Sequence, residues 1–294
     1  MFSFIILHYK NIEETIECLT KLQSLFKDKC HMVIVDNNTL SKSEEKLIQK
    51  FTKDILKLDK NYGFAKANNK GIAYAKKKYK SKYYIVMNND VYIDDANFLN
   101  IIEKDYKKYS FDMMGPYISS PSKESVNPFP VIKDIESLNK EISRCQKLIK
   151  IYSNPIMYFL LQVVLKIKHA IRKPNISTNG DKILLKSPLH GCCIIFSDNY
   201  LKKYKYPFYD ETFLFHEEEF LYQRVINDKL VSLYDPELKV FHKEGSSINK
   251  SNKKERLSKL FREKTRLKSL YLLIDVMQGR KKYEWKNLSY CSSL

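Results

Sequence analysis

Apolar and polar positions alternate along the first hundred residues in blocks that switch between strand and helix spacing. Residues 3–9 (SFIILHY) form a continuous apolar run of buried-strand length. Residues 11–26 follow with Ile12, Ile16, Leu19, Leu22, Leu25 and Phe26 at helical spacing. The pattern repeats: a strand over 31–36 running into the polar pair Asn37 and Asn38, a helix over 41–51 with acidic residues near its start, a short strand over 54–58, a helix over 64–79, and a strand over 83–87 that ends in NND. Strands alternating with helices predict an α/β fold built on a mainly parallel, Rossmann-like doubly wound sheet flanked by helices. Ligands of such sheets bind beyond the carboxyl ends of the strands, where Tyr9, Asp36, Asn37, Asn88, Asn89 and Asp90 fall.

The pattern changes after residue 118. Residues 119–181 begin as a Pro/Ser-rich loop and turn helical from Ile135. Within them, 155–173 (PIMYFLLQVVLKIKHAIRK) joins an apolar, aromatic body to Lys166, Lys168, His169, Arg172 and Lys173. Such a segment either lies in a membrane interface, apolar side down, or packs as a helical hairpin on the core. Residues 252–282 are a second basic helical segment, with Leu257, Leu260, Phe261, Leu267, Leu270 and Tyr271 at helical spacing; a solvated face on a packed helix is the ordinary explanation. The chain contains no internal repeat.

Composition narrows the classes. Against 34 acidic residues stand 52 Lys and Arg, a net charge of +18, so an acidic partner or surface is expected. Only seven glycines, with 21 Tyr and 16 Phe, exclude a disordered Arg/Gly-rich binder and indicate a folded chain. The six cysteines, at 18, 30, 145, 192, 193 and 291, have neither CxxC nor metal-ligand spacing, and the first strand begins almost at Met1. A reduced, cytoplasmic chain is expected, and the absence of an uncharged apolar run of about 18 residues argues against a spanning helix.

Three stretches carry candidate chemistry. In residues 209–224 (YDETFLFHEEEFLYQR), Glu217, Glu218 and Glu219 sit between aromatic and aliphatic residues. Carboxylates crowded beside apolar surface have raised pKa values, which is how a general base is made. Acidic residues also favour the first turn of a helix, and the two explanations are compatible. In residues 61–71 (NYGFAKANNKG), Gly63 permits a tight turn and a close backbone approach to a ligand, while Asn68 and Asn69 supply amide donors; with no GK[ST] this is not a P-loop. Asp36 and Asp90 end their strands at one sheet edge. One such carboxylate can accept the N3–H of a pyrimidine and another can hold a divalent cation against a diphosphate, although turns closed by Asp or Asn are the commoner fate of such clusters.

SFIILHY, VIVDNN, NYGFAKANNKG, YIVMNNDV, GCCIIF (191–196), the acidic run and VFHKEGSS (240–247) stand in the order seen in family-2 glycosyltransferases. The chain resembles that family over residues 2 to about 120 and 184 to about 250, most closely its bacterial rhamnosyltransferase-like branch that builds surface polysaccharides. The resemblance implies a GT-A fold over 1–250, with a nucleotide-binding half (1–118), a helical insertion (119–181) and an acceptor half (182–250), followed by a basic helical region (251–294). It implies inverting transfer from a UDP- or dTDP-sugar. Asp36 would read the base beside Tyr9, and Asn61, Gly63, Asn68, Asn88 and Asn89 would line the donor. Asp90 would grip the diphosphate through Mg2+ or Mn2+ with His242 completing the metal shell. Glu218 would be the general base, with Glu217 as the fallback, and His190, Gly191 and Arg224 would face the acceptor.

The implied partners are the nucleotide sugar, a glycan or polyprenyl-diphosphate-linked acceptor and an anionic membrane surface, with no nucleic acid; the place is the inner face of the cell membrane. The sequence departs from the family where Glu218 replaces a frequent Asp, where Asn88 and Asn89 replace a frequent acid, and where His8-Tyr9-Lys10 replaces Thr-Tyr-Asn. Two rivals are a non-catalytic basic α/β protein binding membrane or nucleic acid, and a nucleotidyltransferase. The latter should carry a glycine-rich basic loop after its first strand, and HYKNIEE is not one.

Overall fold

A computed structural model describes residues 1–121, 126–132, 134–169, 182–243 and 252–281. The expected alternation is present: β1 (Phe2–His8), α1 (Ile12–Phe26), a 3-10 turn (Lys27–Lys29), β2 (Cys30–Asp36), α2 (Lys42–Ile48), β3 (Ile55–Lys57), α3 (Ala65–Lys78) and β4 (Tyr83–Asn88). β1 is buried throughout, the polar Ser3 and His8 included, because both faces are covered. Phe2, Phe4 and Ile6 pack with Leu19, Leu22 and Phe26 of α1, while Ile5 and Leu7 pack with Ala67, Ile72 and Ala75 of α3. α2 starts where Ser41 and Glu44 close a reciprocal capping box.

The chain continues through β5 (Val91–Tyr92), α4 (Phe98–Tyr109), β6 (Met113–Ser119), α5 (Ile135–Ser153), α6 (Pro155–His169), β7 (Leu184–Leu185), β8 (Cys193–Ser197), α7 (Asp198–Lys203), α8 (Glu217–Asn227), β9 (Ser232–His242) and α9 (Asn252–Met277). One curled sheet results, in the order β3-β2-β1-β4-β8-β6-β9-β5, with β7 paired to β9. The expected parallel arrangement holds from β3 to β4; beyond it the sheet is mixed, because β8 lies antiparallel between β4 and β6. The chain enters β8 from the edge at which β4 ends, with Asn88 N–H donating to the Cys192 carbonyl at 3.0 Å, so β8 can only run back. That reversal brings residues 190–192 to the carboxyl edge of the parallel strands.

The insertion and the C-terminal segment pack together. Leu138, Ile142 and Cys145 of α5 meet Leu270, Leu273 and Val276 of α9, with Tyr209 and Phe220 between them. Of the stripe expected on α9, Leu270 is buried, whereas Leu257, Phe261 and Tyr271 are exposed. Among the described residues no helix is long and apolar enough to cross a membrane. The described cysteines, 18, 30, 145, 192 and 193, are buried free thiols, and burial pushes those of Cys30 and Cys193 up to about 12. Cys291 lies outside the described residues, as do 170–173 and 244–247 of the motifs above.

Two carboxyls away from the sheet edge make the stability depend on pH. Asp105 of α4 and Asp235 of β9 are both buried, and burial, then the neighbouring Asp235 carboxyl, push Asp105 up to about 7. A folded-state value above the unfolded one near 4 means that the contribution to stability is complete below about pH 4 and is lost as pH rises through about 7. Asp105→Asn, which keeps a neutral partner beside Asp235 at every pH, is expected to raise Tm at pH 8 by about 2 °C or more and to change it little at pH 4. Thermal unfolding of both chains across that range checks this.

Candidate active site

The carboxyl ends of β1, β2 and β4 form one edge of the site. Asp36 is buried, and its Oδ1 accepts the N–H groups of Thr39 at 2.8 Å and Leu40 at 3.2 Å. One oxygen thus closes the turn after β2, while Oδ2 has no hydrogen bond among the described residues. The loop after β1 is held in a left-handed conformation, with φ of 60° at Lys10 and 51° at Asn11. Asn89 imposes it: its Nδ2 donates to Thr15 Oγ1 at 2.9 Å and lies 3.4 Å from the carbonyls of Lys10 and Asn11. Thr15 Oγ1 in turn pairs with His8 Nδ1 at 2.7 Å, and burial lowers the pKa of His8, which stays neutral. Tyr9 is left exposed with the Lys10 ammonium over its ring. The Nδ2 of Asn89, a residue expected against the donor, is thus engaged in shaping this loop.

Asn37 performs the same service for the next loop. Its Oδ1 accepts from Tyr62 N–H at 2.8 Å, its Nδ2 donates to the Gly63 carbonyl at 3.0 Å, and Asn61 Oδ1 accepts from Gly63 N–H at 2.8 Å. Gly63 has φ of 77°, and a Cβ there would stand 1.9 Å from the Phe213 carbonyl oxygen, which accepts from Phe64 N–H at 2.9 Å. The approach that demands glycine is that of the segment leading into the acidic run, where a ligand was expected. Asn69 clamps Phe208 from both sides, its Nδ2 donating to the carbonyl at 2.9 Å and its Oδ1 accepting from the N–H at 3.0 Å. Asn68 is fully buried and neither of its polar side-chain atoms has a hydrogen-bond partner among the described residues.

Below this edge opens a cavity of about 970 Å3. Phe64, Asn88, His190, Gly191 and Cys192 line one side, residues 214–219 a second, and Glu141 and Arg144 of α5 with Arg262 and Arg266 of α9 a third. Phe215 and His216 carry the chain into α8 with φ of 74° and 69°. Left-handed backbone at two successive non-glycine residues costs on the order of 1–3 kcal/mol each, a strain that clusters at functional sites. The turn sets Glu217, Glu218 and Glu219 on the first turn of α8, with Glu219 Oε1 3.1 Å from His216 Nδ1.

The three carboxyls are not equivalent. Burial, then the charge of Glu218, push Glu217 up to about 8, so it is mostly protonated near neutrality. Burial and the neighbouring Glu219 also raise Glu218, but Glu218 is the least buried of the three and its Oε1 accepts the Gly191 N–H at 3.0 Å, which favours the ionised form. A Cβ on Gly191 would itself lie 3.0 Å from that oxygen.

Asp90 Oδ1 lies 3.2 Å from His242 Nε2, and the His242 ring is 6.2 Å from that of His190, a residue whose backbone N–H donates to Asn127 Oδ1 at 2.7 Å. Neighbouring ligands of an octahedral Mg2+ are about 3 Å apart, so the Asp90–His242 spacing suits two adjacent coordination positions. No group of three or more His, Cys, Asp or Glu able to hold a metal occurs among the described residues, so further ligands would be phosphate oxygens or water.

Arg224, expected on the acceptor side, is instead buried on α8. Its Nη1 donates to Tyr200 Oη at 2.7 Å and to the carbonyls of Tyr206 and Pro207 at 3.1 and 3.0 Å, and it does not line the cavity. The helical periodicity explains this, since Leu221, Arg224 and Val225 share the buried stripe. Asn127, Arg144, Arg262 and Arg266 were not singled out as site residues from sequence. The i, i+4 spacing of the last two on a helix was the available signal.

No curated protein matches the chain. The family model of glycosyl transferase family 2 matches residues 3–160, more than half the chain. The match takes in Asp36 and Asp90 and extends into α6, which the motif resemblance had left out, but stops before the acidic run and His242. With an α/β sheet whose matched parallel strands end at one edge, where Asn88 of β4 lines a large cavity, and with that match, the chain is a glycosyltransferase and belongs to glycosyl transferase family 2.

Proposed function

We propose that this glycosyltransferase inverts configuration while moving a sugar from a UDP- or dTDP-sugar to a glycan hydroxyl, with Glu218 as general base. The observation that carries the reading is the position of Glu218: on the cavity wall, less buried than its neighbours, and hydrogen-bonded to Gly191. A raised pKa in an ionisable form matches a base to its working pH. Glu217, mostly protonated, is the weaker candidate.

In this reading the pyrimidine lies against Tyr9 with its N3–H toward Asp36 Oδ2, the acceptor of that strand end not already committed. Asn88 and Asn61 offer amides to the donor, whereas Asn89 and Gly63 act through the backbone they position. Asp90 and His242 would hold Mg2+ or Mn2+, and the bound cation would neutralise charge on the departing diphosphate. The acceptor enters beside His190 and Gly191, its hydroxyl proton passes to Glu218, and the oxygen attacks from the face opposite the diphosphate. The basic surface and the apolar exterior of α6 support work at the inner face of a cell membrane on lipid-linked or growing surface polysaccharide, the role of the rhamnosyltransferase-like branch.

Incubating the chain with UDP- and dTDP-sugars, Mn2+ and bacterial surface-glycan acceptors, and following nucleoside diphosphate release, tests this. Acceptor-dependent release from one donor is expected. No release above the blank from any combination would contradict a UDP- or dTDP-sugar donor and a bacterial surface-glycan acceptor.

A further inference from the structure

Asn88, Asn89 and Asp90 at the end of β4 carry a single charge among them. A second carboxylate reaches that strand end from another element. Glu14 stands in the first turn of α1, where an acid ordinarily answers the helix dipole from solvent, as the exposed Glu13 does. Glu14 is instead 5% exposed, and its Oε1 has no hydrogen-bond partner among the described residues. Burying a carboxylate without a hydrogen bond is costly, so a neighbouring charge has to account for it.

The neighbours of Glu14 are the groups around Asp90. Thr15 Oγ1 accepts from Asn89 Nδ2 at 2.9 Å, which lays residues 14–15 alongside 89–90. Val91 pairs with His242 across β5 and β9, and the backbone N–H of Lys243 donates to the Asp90 carbonyl at 3.0 Å. The Lys243 ammonium stands 4.0 Å from Glu14 Oε1 and 3.8 Å from Glu17 Oε2, a loose pairing shared between two acids. Burial, then the charge of Asp90, raise the pKa of Glu14, so the two carboxylates repel each other.

We propose that Glu14 supplies the second negative charge of the cation seat at Asp90 and His242, acting from behind these residues through its field and not as a ligand, and that Lys243 opposes it. This rests on the reading of Asp90 and His242 as cation-holding residues and adds a positioning residue from α1. A divalent cation at Asp90 relieves the repulsion between the two carboxylates, so its binding is favoured by Glu14 and disfavoured by the ammonium beside it. The alternative is a purely structural tie between α1 and the end of β9, and the two differ in sign: a tie is weakened by loss of either partner, whereas the field is weakened by loss of Glu14 and strengthened by loss of Lys243.

Titration of the full chain with Mn2+ at saturating UDP or dTDP, whichever raises the Tm of the native chain, tests this, with free Mn2+ read by its EPR signal against a protein-free blank. The native chain is expected to bind Mn2+ and Asp90→Ala to lose it. Glu14→Gln, which keeps the volume and removes the charge, is expected to raise the Mn2+ Kd by about fivefold or more, and Lys243→Met to lower it by about twofold or more. Glu17→Gln, at an exposed position on the same helix, is expected to leave it within about twofold. Native Mn2+ affinity in Glu14→Gln, or shifts of the same sign in Glu14→Gln and Lys243→Met, would overturn the inference. Should Glu14→Gln fail to fold, Lys243→Met with unchanged or weaker Mn2+ binding overturns it alone. Mn2+ binding that Asp90→Ala abolishes but Glu14→Gln leaves unchanged discards the role of Glu14 and keeps the cation seat. A native chain that binds no Mn2+ discards both.

Discussion

Glu218→Gln is expected to lower transfer by ~10³-fold while leaving nucleoside diphosphate binding within about twofold of native, because general-base removal is a transition-state loss. The substitution keeps the shape of the side chain and an oxygen for the Gly191 N–H, so the cavity wall stays intact. Glu217→Gln is the matched control. Burial and the Glu218 charge push Glu217 up to about 8, so Gln resembles the protonated acid already present and transfer should stay within about tenfold. The base must be ionised and its pKa is raised, so the rate should fall as pH drops through a value above the ordinary carboxylate range. Steady-state kinetics of the two variants and the native chain across pH give all three results. A Glu218→Gln chain with native rates would remove Glu218 from the mechanism.

Gly63→Ala is expected to be the most damaging single-methyl addition at the donor edge. The new Cβ would stand 1.9 Å from the Phe213 carbonyl oxygen, at φ of 77°, where an L side chain is strained even in open space. The obstacle is backbone, so it yields only if the 213–216 segment moves, and that segment holds the two left-handed residues that aim the glutamates. A loss of about 3 kcal/mol or more, equivalent to about 6 °C or more in Tm, is expected together with a fall in transfer out of proportion to the unfolded fraction. Thermal unfolding and kcat of the variant check both. Native Tm and kcat would mean that the two segments are not packed as described.

Much of the parallel half of the sheet was legible in the sequence because it is built from local signals. The apolar runs of β1, β2 and β4 have strand length and end in His8, Asp36 and Asn88, so the sheet edge and its carboxylates could be placed without the structure. The acidic run could be read as a candidate site because its three glutamates crowd carboxylates beside apolar surface between Phe215 and Phe220, even though they also fill the first turn of α8. What was hidden depends on contacts between distant residues. Gly63 is glycine on account of Phe213, 150 positions away, and the Nδ2 of Asn89 serves Thr15. Arg224 has the composition of a site residue but the helical phase of a core residue, and only the packing of Tyr200 and the 206–207 carbonyls against α8 decides between them. The direction of β8 was not written in GCCIIF, since an apolar run has no polarity of its own. Nor did periodicity show that α5 and α9 wall the cavity, because a stripe says that a helix packs and not on what.

The most direct test of the central claim is nucleotide binding at the strand ends. Thermal unfolding of the native chain and of Asp90→Ala is followed with UDP, dTDP, GDP and CDP, each with and without Mn2+, and the stabilisation follows RT ln(1 + [L]/Kd). The predicted result is a Mn2+-dependent rise in Tm for the native chain with UDP or dTDP that Asp90→Ala loses. No shift with any nucleotide, or a shift that ignores both Mn2+ and Asp90, would contradict a donor held where β1, β2 and β4 end.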